Sequence, residues 1–118
     1  MSFNPIKKVD KPWGYELWWA VTDKYVGKLL SIDKNHALSL QYHEVKDETL
    51  YVQEGELILE LHSENGEIES LNFLPGQSKR IKPNTKHRLK ALKDSKVFEV
   101  STPELEDVIR LEDDYGRK

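Results

Sequence analysis

The sequence predicts one all-β domain. Short apolar or alternating runs recur from end to end, turn residues separate them at short intervals, and no long stretch keeps a helical period. At 118 residues the chain suits a single domain.

Eight strands are expected, with a ninth to close the set. After an N-terminal arm of about residues 1–12, Tyr15–Ala20 forms the first. With Trp13 it carries the aromatics Tyr15, Trp18 and Trp19, which suit a core or a dimer contact, or the flat face of a sugar. Tyr25–Ile32 is the second, and the turn Lys34–Ala37 leads into the third, Ala37–His43, where Leu38 and Leu40 alternate with Ser39 and Gln41. Glu48–Gln53 follows, and Gly55 separates it from Glu56–Ser63, whose Leu57, Leu59 and Leu61 share a core-facing side while Glu56 and Glu60 face away. The pair Asn65-Gly66 marks a type I′ hairpin into Glu67–Phe73, and His62 beside it is expected to be exposed. Pro75-Gly76 introduces Ser78–Ile81, and Lys82-Pro83-Asn84 ends it. Val97–Ser101 and the closing Val108–Leu111 complete the pattern. The acidic tail, about residues 104–118, has room for a short helical turn after Pro103.

Composition narrows the function classes. The chain is 37% hydrophobic and 33% charged, which suits a folded domain with a solvated surface. A net charge of −3 with interspersed lysines offers no basic stripe, so nucleic acid is not an expected partner. A small anion still could be, because a few cations inside a pocket need no positive total. Nowhere do about 18 apolar residues run together, and the first residues lack the apolar run of a signal peptide, so no membrane partner and a cytoplasmic location are expected. Cysteine is absent, so any metal must bind through nitrogen and oxygen.

One constellation can do so. In a strand, Gln41 and His43 point to the same face. A hairpin over residues 43–48 would return Glu48 beside the imidazole, and His87 follows a Pro-Asn-Thr turn on what could be a neighbouring strand. One amide oxygen, two imidazoles and a carboxylate suit zinc, iron, manganese, nickel or cobalt. Chance alone also yields such sets, and spacing by itself does not decide between the two.

The motifs here resemble the cupin superfamily, with its double-stranded β-helix or jelly-roll barrel. Its first motif, G, five residues, H-x-H, three or four residues, E, six residues, G, is matched in spacing by Asn35, Gln41-Tyr42-His43, Glu48 and Gly55, with Asn and Gln replacing the first Gly and His. The Gln-x-His variant is similar to the phosphomannose isomerase type II C-terminal domain. Lys11-Pro12-Trp13-Gly14, Leu38-Ser39-Leu40-Gln41, Leu74-Pro75-Gly76, Thr85-Lys86-His87-Arg88-Leu89 and the stretch Val108 to Arg117 resemble that family's R-P-W-G, L-S-L-Q, L-P-G, T-P-H-R-L and I-V-R-x-E-D-x-Y-G-R segments. Two departures stand out. His43-Glu44-Val45-Lys46-Asp47-Glu48 replaces a histidine-rich run followed by R-A-E-H-W, and Asn84 stands where I-P-x-G-T has glycine.

The resemblance implies one divalent metal, zinc first, held by Gln41, His43, Glu48 and His87, and a mannose 6-phosphate/fructose 6-phosphate isomerase. That reaction needs a base, an electrophile and cations for a phosphate. Arg88, Glu44 and Lys28 are the leading catalytic residues; Arg80 and Lys90 are further cations, and His36 and Glu99 further bases. A cupin oxygenase using iron or manganese and a sugar or sugar-phosphate binding module without turnover are the alternatives. A homodimer is the expected assembly.

Overall fold

The alternation seen in the sequence closes two antiparallel sheets around a common interior. The computed structural model describes residues 2–118. Its strands are β1 (Lys7–Lys11), β2 (Gly14–Val21), β3 (Val26–Ile32), β4 (Leu40–Tyr42), β5 (Glu48–Glu54), β6 (Leu57–His62), β7 (Ile68–Phe73), β8 (Ser78–Ile81), β9 (Lys86–Ala91), β10 (Ser95–Ser101) and β11 (Ile109–Glu112). A six-stranded sheet runs β1-β2-β3-β10-β5-β8 and faces a five-stranded sheet of order β11-β4-β9-β6-β7. Among the described residues no helix is long and apolar enough to cross a membrane.

Every expected strand has a counterpart, and two more appear. The N-terminal arm contributes β1, paired with β2, and the His87 segment is β9, paired with β4 and β6. The third expected strand shortens to β4, with Ala37 held by an isolated bridge to Lys90. The helical turn after Pro103 is absent; Leu105 N–H reaches Pro103 O in a tight turn, and the chain runs on into β11 beside β4.

The β6–β7 turn differs from the type I′ expectation. Gly66 has φ 86°, but Asn65 is not left-handed, and Gly66 N–H donates to Ser63 O. A type I turn followed by a left-handed glycine is the geometry of a loop one residue longer, which Glu64 makes necessary. His62 is half-buried and its Nε2 lies 2.8 Å from Glu60 Oε2.

Each wall strand changes character along its inward face. Lys28 leads to Leu30 and Ile32, Glu48 to Leu50 and Val52, and His87 to Leu89 and Ala91, while Val97 leads to Glu99. Register brings these changes close: Leu30, Val97 and Val52 are cross-strand partners in one layer, Lys28 stands opposite Glu99 in the next, and on β5 the change comes one pair later, after Leu50. One end of the barrel is therefore a packed core, joined by Trp13, Leu57, Leu59, Phe73 and Ile81. The other end is polar and buried.

Gly55 closes the β5–β6 corner at φ 101°, where a Cβ would lie 2.2 Å from Ser95 Oγ and 2.6 Å from Asp94 O. A side chain there is both strained and blocked by backbone. Gly55→Ala should lower stability by at least about 2 kcal/mol, read from urea unfolding, with little change in the slope against denaturant.

The tail is tied by charge. Arg117 donates to both Asp113 oxygens and holds that carboxyl down to about 2. A carboxyl depressed in the folded state adds stability above its unfolded value and loses it as pH falls towards the folded one. The wild type should therefore lose this contribution between pH 3.8 and about 2. Asp113→Asn should be less stable at neutral pH yet converge with wild type at the acid end, in urea unfolding across that range.

Candidate metal centre and the cavity above it

Three elements bring the metal-ligand candidates together. Gln41 on β4 is the cross-strand partner of His87 on β9, so both side chains take the inner face. His43 follows β4 directly, and the chain crosses from the five-stranded to the six-stranded sheet before Glu48 opens β5. The expected hairpin between His43 and Glu48 is thus a crossover between sheets, with the same result for the two side chains. Asp107 holds the crossover by accepting the N–H groups of Glu44, Val45 and Lys46 at 3.0, 2.7 and 2.8 Å. Asn84 takes φ 65°, the left-handed geometry that glycine ordinarily supplies, and its N–H donates to His43 O at 2.6 Å. The substitution in the second motif keeps the turn and ties it to the first.

His43, Glu48 and His87 are each 3% exposed, and their ligating atoms lie within 4.8 Å of one another. The tautomers follow from the neighbours. His43 Nδ1 lies 2.5 Å from Asp107 O and His87 Nδ1 lies 2.8 Å from Thr85 O; a carbonyl can only accept, so both Nδ1 atoms carry protons. Each neutral ring then turns a bare Nε2 towards Glu48 Oε1, at 3.2 Å in both cases. Three acceptors meeting in a buried place require a cation among them. Either the rings take up protons or a metal ion is bound, and carbonyl-oriented imidazoles beside a carboxylate are the arrangement metal sites use. The residues fit a divalent ion. Gln41 lines the same cavity, its Oε1 accepting a 3.3 Å hydrogen bond from Ser39.

A cavity of about 530 Å³ meets this cluster at His43, with Gln41 beside it. Lys46, from the crossover, reaches Glu48 at 3.4 Å and Glu99 at 3.0 Å. Burial opposes the charge on Glu48; a proton or a cation on the Nε2 side of His43 and His87, together with the Lys46 charge, holds its carboxyl well below the usual range. Glu99 responds oppositely: burial, reinforced by the Glu48 charge, pushes it up to about 7 against the pull of Lys46 and Lys28. Beside Glu99 on the same sheet, Lys28 pairs with Glu16 at 3.5 Å and lies 4.5 Å from the centre of the Trp18 ring, while Trp18 Nε1 donates to Glu16 at 2.8 Å.

Of the catalytic residues expected from sequence, Lys28 lines the cavity and Arg88 and Glu44 do not. Arg88 follows inward-facing His87 in a strand and so must face out; its Nε donates to Leu38 O and its Nη2 to Asp114. Glu44 is exposed at the start of the crossover. Arg80 is paired with Asp47 on the surface, Lys90 is exposed near Glu60, and His36 stacks on Tyr115, whose hydroxyl lies 2.7 Å from its Nδ1. Among the bases considered, Glu99 is the one in the cavity. The aromatics divide: Trp13 is core, Trp18 lines the cavity, and Trp19 is exposed on the outer face against Phe98.

Sequence reasoning missed Lys46, Lys11 and Arg110, all of which line the cavity. Lys46 sits in the gap between two ligands, where a four-residue crossover has few ways to point its side chains. Lys11 and Arg110 lie inside the KPWG and VIRLED segments of the resemblance, to which no role was attached.

At the level of sequence, no family model and no curated protein matches this chain. Solved structures do. The capsular polysaccharide assembling protein CapF from Staphylococcus aureus superposes with TM-score 0.76 at 17% identity, over 93% of this chain and 33% of its own. KdgF from Halomonas sp. superposes with TM-score 0.72 at 21% identity, over 90% of this chain and 96% of its own. Oxalate decarboxylase from Bacillus subtilis gives TM-score 0.78 at 14% identity, over 94% and 31%. The chain spans about a third of the length of CapF and of the decarboxylase. Identities this low speak to fold alone, and the fold is the cupin jelly roll.

Proposed function

We propose that the protein is a metal-dependent enzyme interconverting an aldose phosphate and a ketose phosphate, with mannose 6-phosphate and fructose 6-phosphate as the pair to which the motif resemblance points. The observation that carries this reading is the convergence of two oriented imidazoles and a carboxylate, opening through His43 on a cavity that is also lined by a buried Lys46–Glu99 pair. His43, Glu48 and His87, with Gln41 beside them, would hold the ion, and zinc suits a set of two imidazoles and a carboxylate. Bound there, it supplies the electrophile that polarises the sugar oxygens.

The chain's own residues cover the remaining needs. Glu99, as carboxylate, takes the C2 proton of the open-chain aldose; the electron pair moves into the C1–C2 bond as C1=O becomes an enediolate oxygen. Returning the proton to C1 completes the ketose, with one hydroxyl proton passing from O2 to O1. Lys46 lies against Glu99 and supplies fixed positive charge where that oxygen charge develops. Trp18 offers an apolar wall to the sugar, and the Lys28–Glu16 pair offers hydrogen bonds to its hydroxyls. Binding without turnover is the second reading, favoured by the engagement of Glu99 with Lys46, which must loosen before Glu99 can reach a carbon-bound proton.

Two experiments test the proposal. Metal-stripped protein titrated with zinc or cobalt(II) should bind one ion and gain about 2.7 kcal/mol of stability at a hundredfold excess over Kd; His43→Ala and His87→Ala should abolish that gain. Metal-loaded protein should then interconvert mannose 6-phosphate and fructose 6-phosphate, and Glu99→Gln should reduce kcat by about 10²–10⁴-fold with metal content unchanged. One bound metal without turnover moves the assignment to a binding protein, and a wild type that takes up no metal ends both readings.

A further inference from the structure

Cations line the polar end of the barrel and the recess beside it, and not all of them face a carboxylate side chain. Four cations lie along the cavity and the small recess beside it: Lys11 from β1, Lys28 from β3, Arg110 from β11 and Arg117 from the tail. Two have carboxylate partners, Lys28 in Glu16 and Arg117 in Asp113. Among the described residues, neither Lys11 nor Arg110 pairs with an Asp or Glu side chain.

Arg110 is placed by register. It is the cross-strand partner of Gln41, which is the partner of His87, so Arg110, Gln41 and His87 form a row across three strands on the inner face. Its Nη1 donates to Lys118 O at 2.9 Å, while its Nε is buried with no hydrogen-bond partner. A buried guanidinium N–H without an acceptor is costly, and an incoming anion removes the cost. Lys11 lines both the main cavity and the small recess that continues from it beside Arg110. Burial lowers its affinity for a proton, Glu16 opposes this, and Arg110, Lys28 and Arg117 lower it further. Mutual repulsion among like charges at one place has the same remedy.

We infer that Lys11 and Arg110 form an oxyanion subsite that anchors the phosphate of a phosphorylated sugar, with the carbohydrate lying between it and the His43–Glu48–His87 cluster. The sugar's identity rests on the isomerase reading; the subsite does not. Its elements explain the arrangement. The five-stranded and six-stranded sheets end in β11 and β1 on this side, and each edge contributes one cation to the gap between them. Arg110 offers a planar fork and Lys11 a point charge, a combination suited to a tetrahedral oxyanion. An uncharged sugar offers the two only neutral hydroxyl oxygens and no charge to balance theirs.

The test is calorimetric titration of metal-loaded, full-length protein with mannose 6-phosphate, mannose and inorganic phosphate at fixed ionic strength, repeated with phosphate on metal-stripped protein. Mannose 6-phosphate should bind at least tenfold more tightly than mannose, and phosphate should bind with or without metal. Lys11→Gln and Arg110→Gln should each weaken phosphate binding about tenfold or more while metal stoichiometry holds. Arg110→Lys, which keeps the charge and the strand, should recover part of the loss, and Lys93→Gln, an exposed residue outside the cavity, should change nothing. Phosphate affinity unaltered in the Lys11 and Arg110 variants, phosphate binding that disappears with the metal, or an equal loss in Lys93→Gln each overturns the subsite. Phosphate held by wild type and lost in both variants, with no isomerisation, supports the subsite and refutes the isomerase instead.

Discussion

The ionised carboxylate of Glu48, at the centre of a barrel, is the constraint on which the polar half of the structure depends. A carboxylate removed from water is tolerated only with positive charge or donors around it. Lys46 supplies one such partner, and the two imidazoles close over the other side. Lys46 must then be buried as well, which brings Glu99 to its far side, and Glu99 faces Lys28, which brings Glu16. The inward-facing polar residues thus form a chain of alternating charge extending from one ligand set across the cavity.

That chain is supported by segments far away in sequence. Asp107 fixes the crossover carrying His43 and Lys46 through three backbone N–H groups, and its own carbonyl sets the tautomer of His43. Thr85 does the same for His87, and Asn84 bonds back to His43 O. Arg88, although absent from the cavity, bonds Leu38 O on β4's approach and Asp114 in the tail. Its contribution is to hold the β11 side of the barrel, which presents Arg110, against β9.

The fold and the His43–Glu48–His87 cluster were legible in the sequence, the first through alternation and the second through motifs shared with the family it resembles. Alternation located the inward leucines, and motif spacing located His43, Glu48 and His87. The same period could have excluded Arg88, since a residue adjacent to an inward ligand in a strand must face outward. The type I′ turn failed for a similar local reason: Glu64 adds one residue, and Asn65-Gly66 alone does not reveal loop length. Lys11 and Arg110 were out of reach for a different reason. Their meeting depends on which strand forms each sheet edge, a pairing across about a hundred residues that no local pattern encodes. Asn84 stands between these cases, because its tolerance of left-handed geometry is a residue property while the need for that geometry is set by the neighbouring ligand.

The change from apolar to polar along each inward face has an implication for misfolding. A strand that slips by two residues keeps the same side chains inside, so burial alone barely penalises it. In this barrel such a slip would put Leu89 where His87 belongs, or Leu50 in place of Glu48, and strand the displaced charge among hydrocarbon. The ionic layer therefore acts as a vernier on the hydrophobic one. It distinguishes registers that the core alone would accept, and occupancy of the His43–Glu48–His87 cluster is a direct gauge that every wall strand has stopped at the right mark.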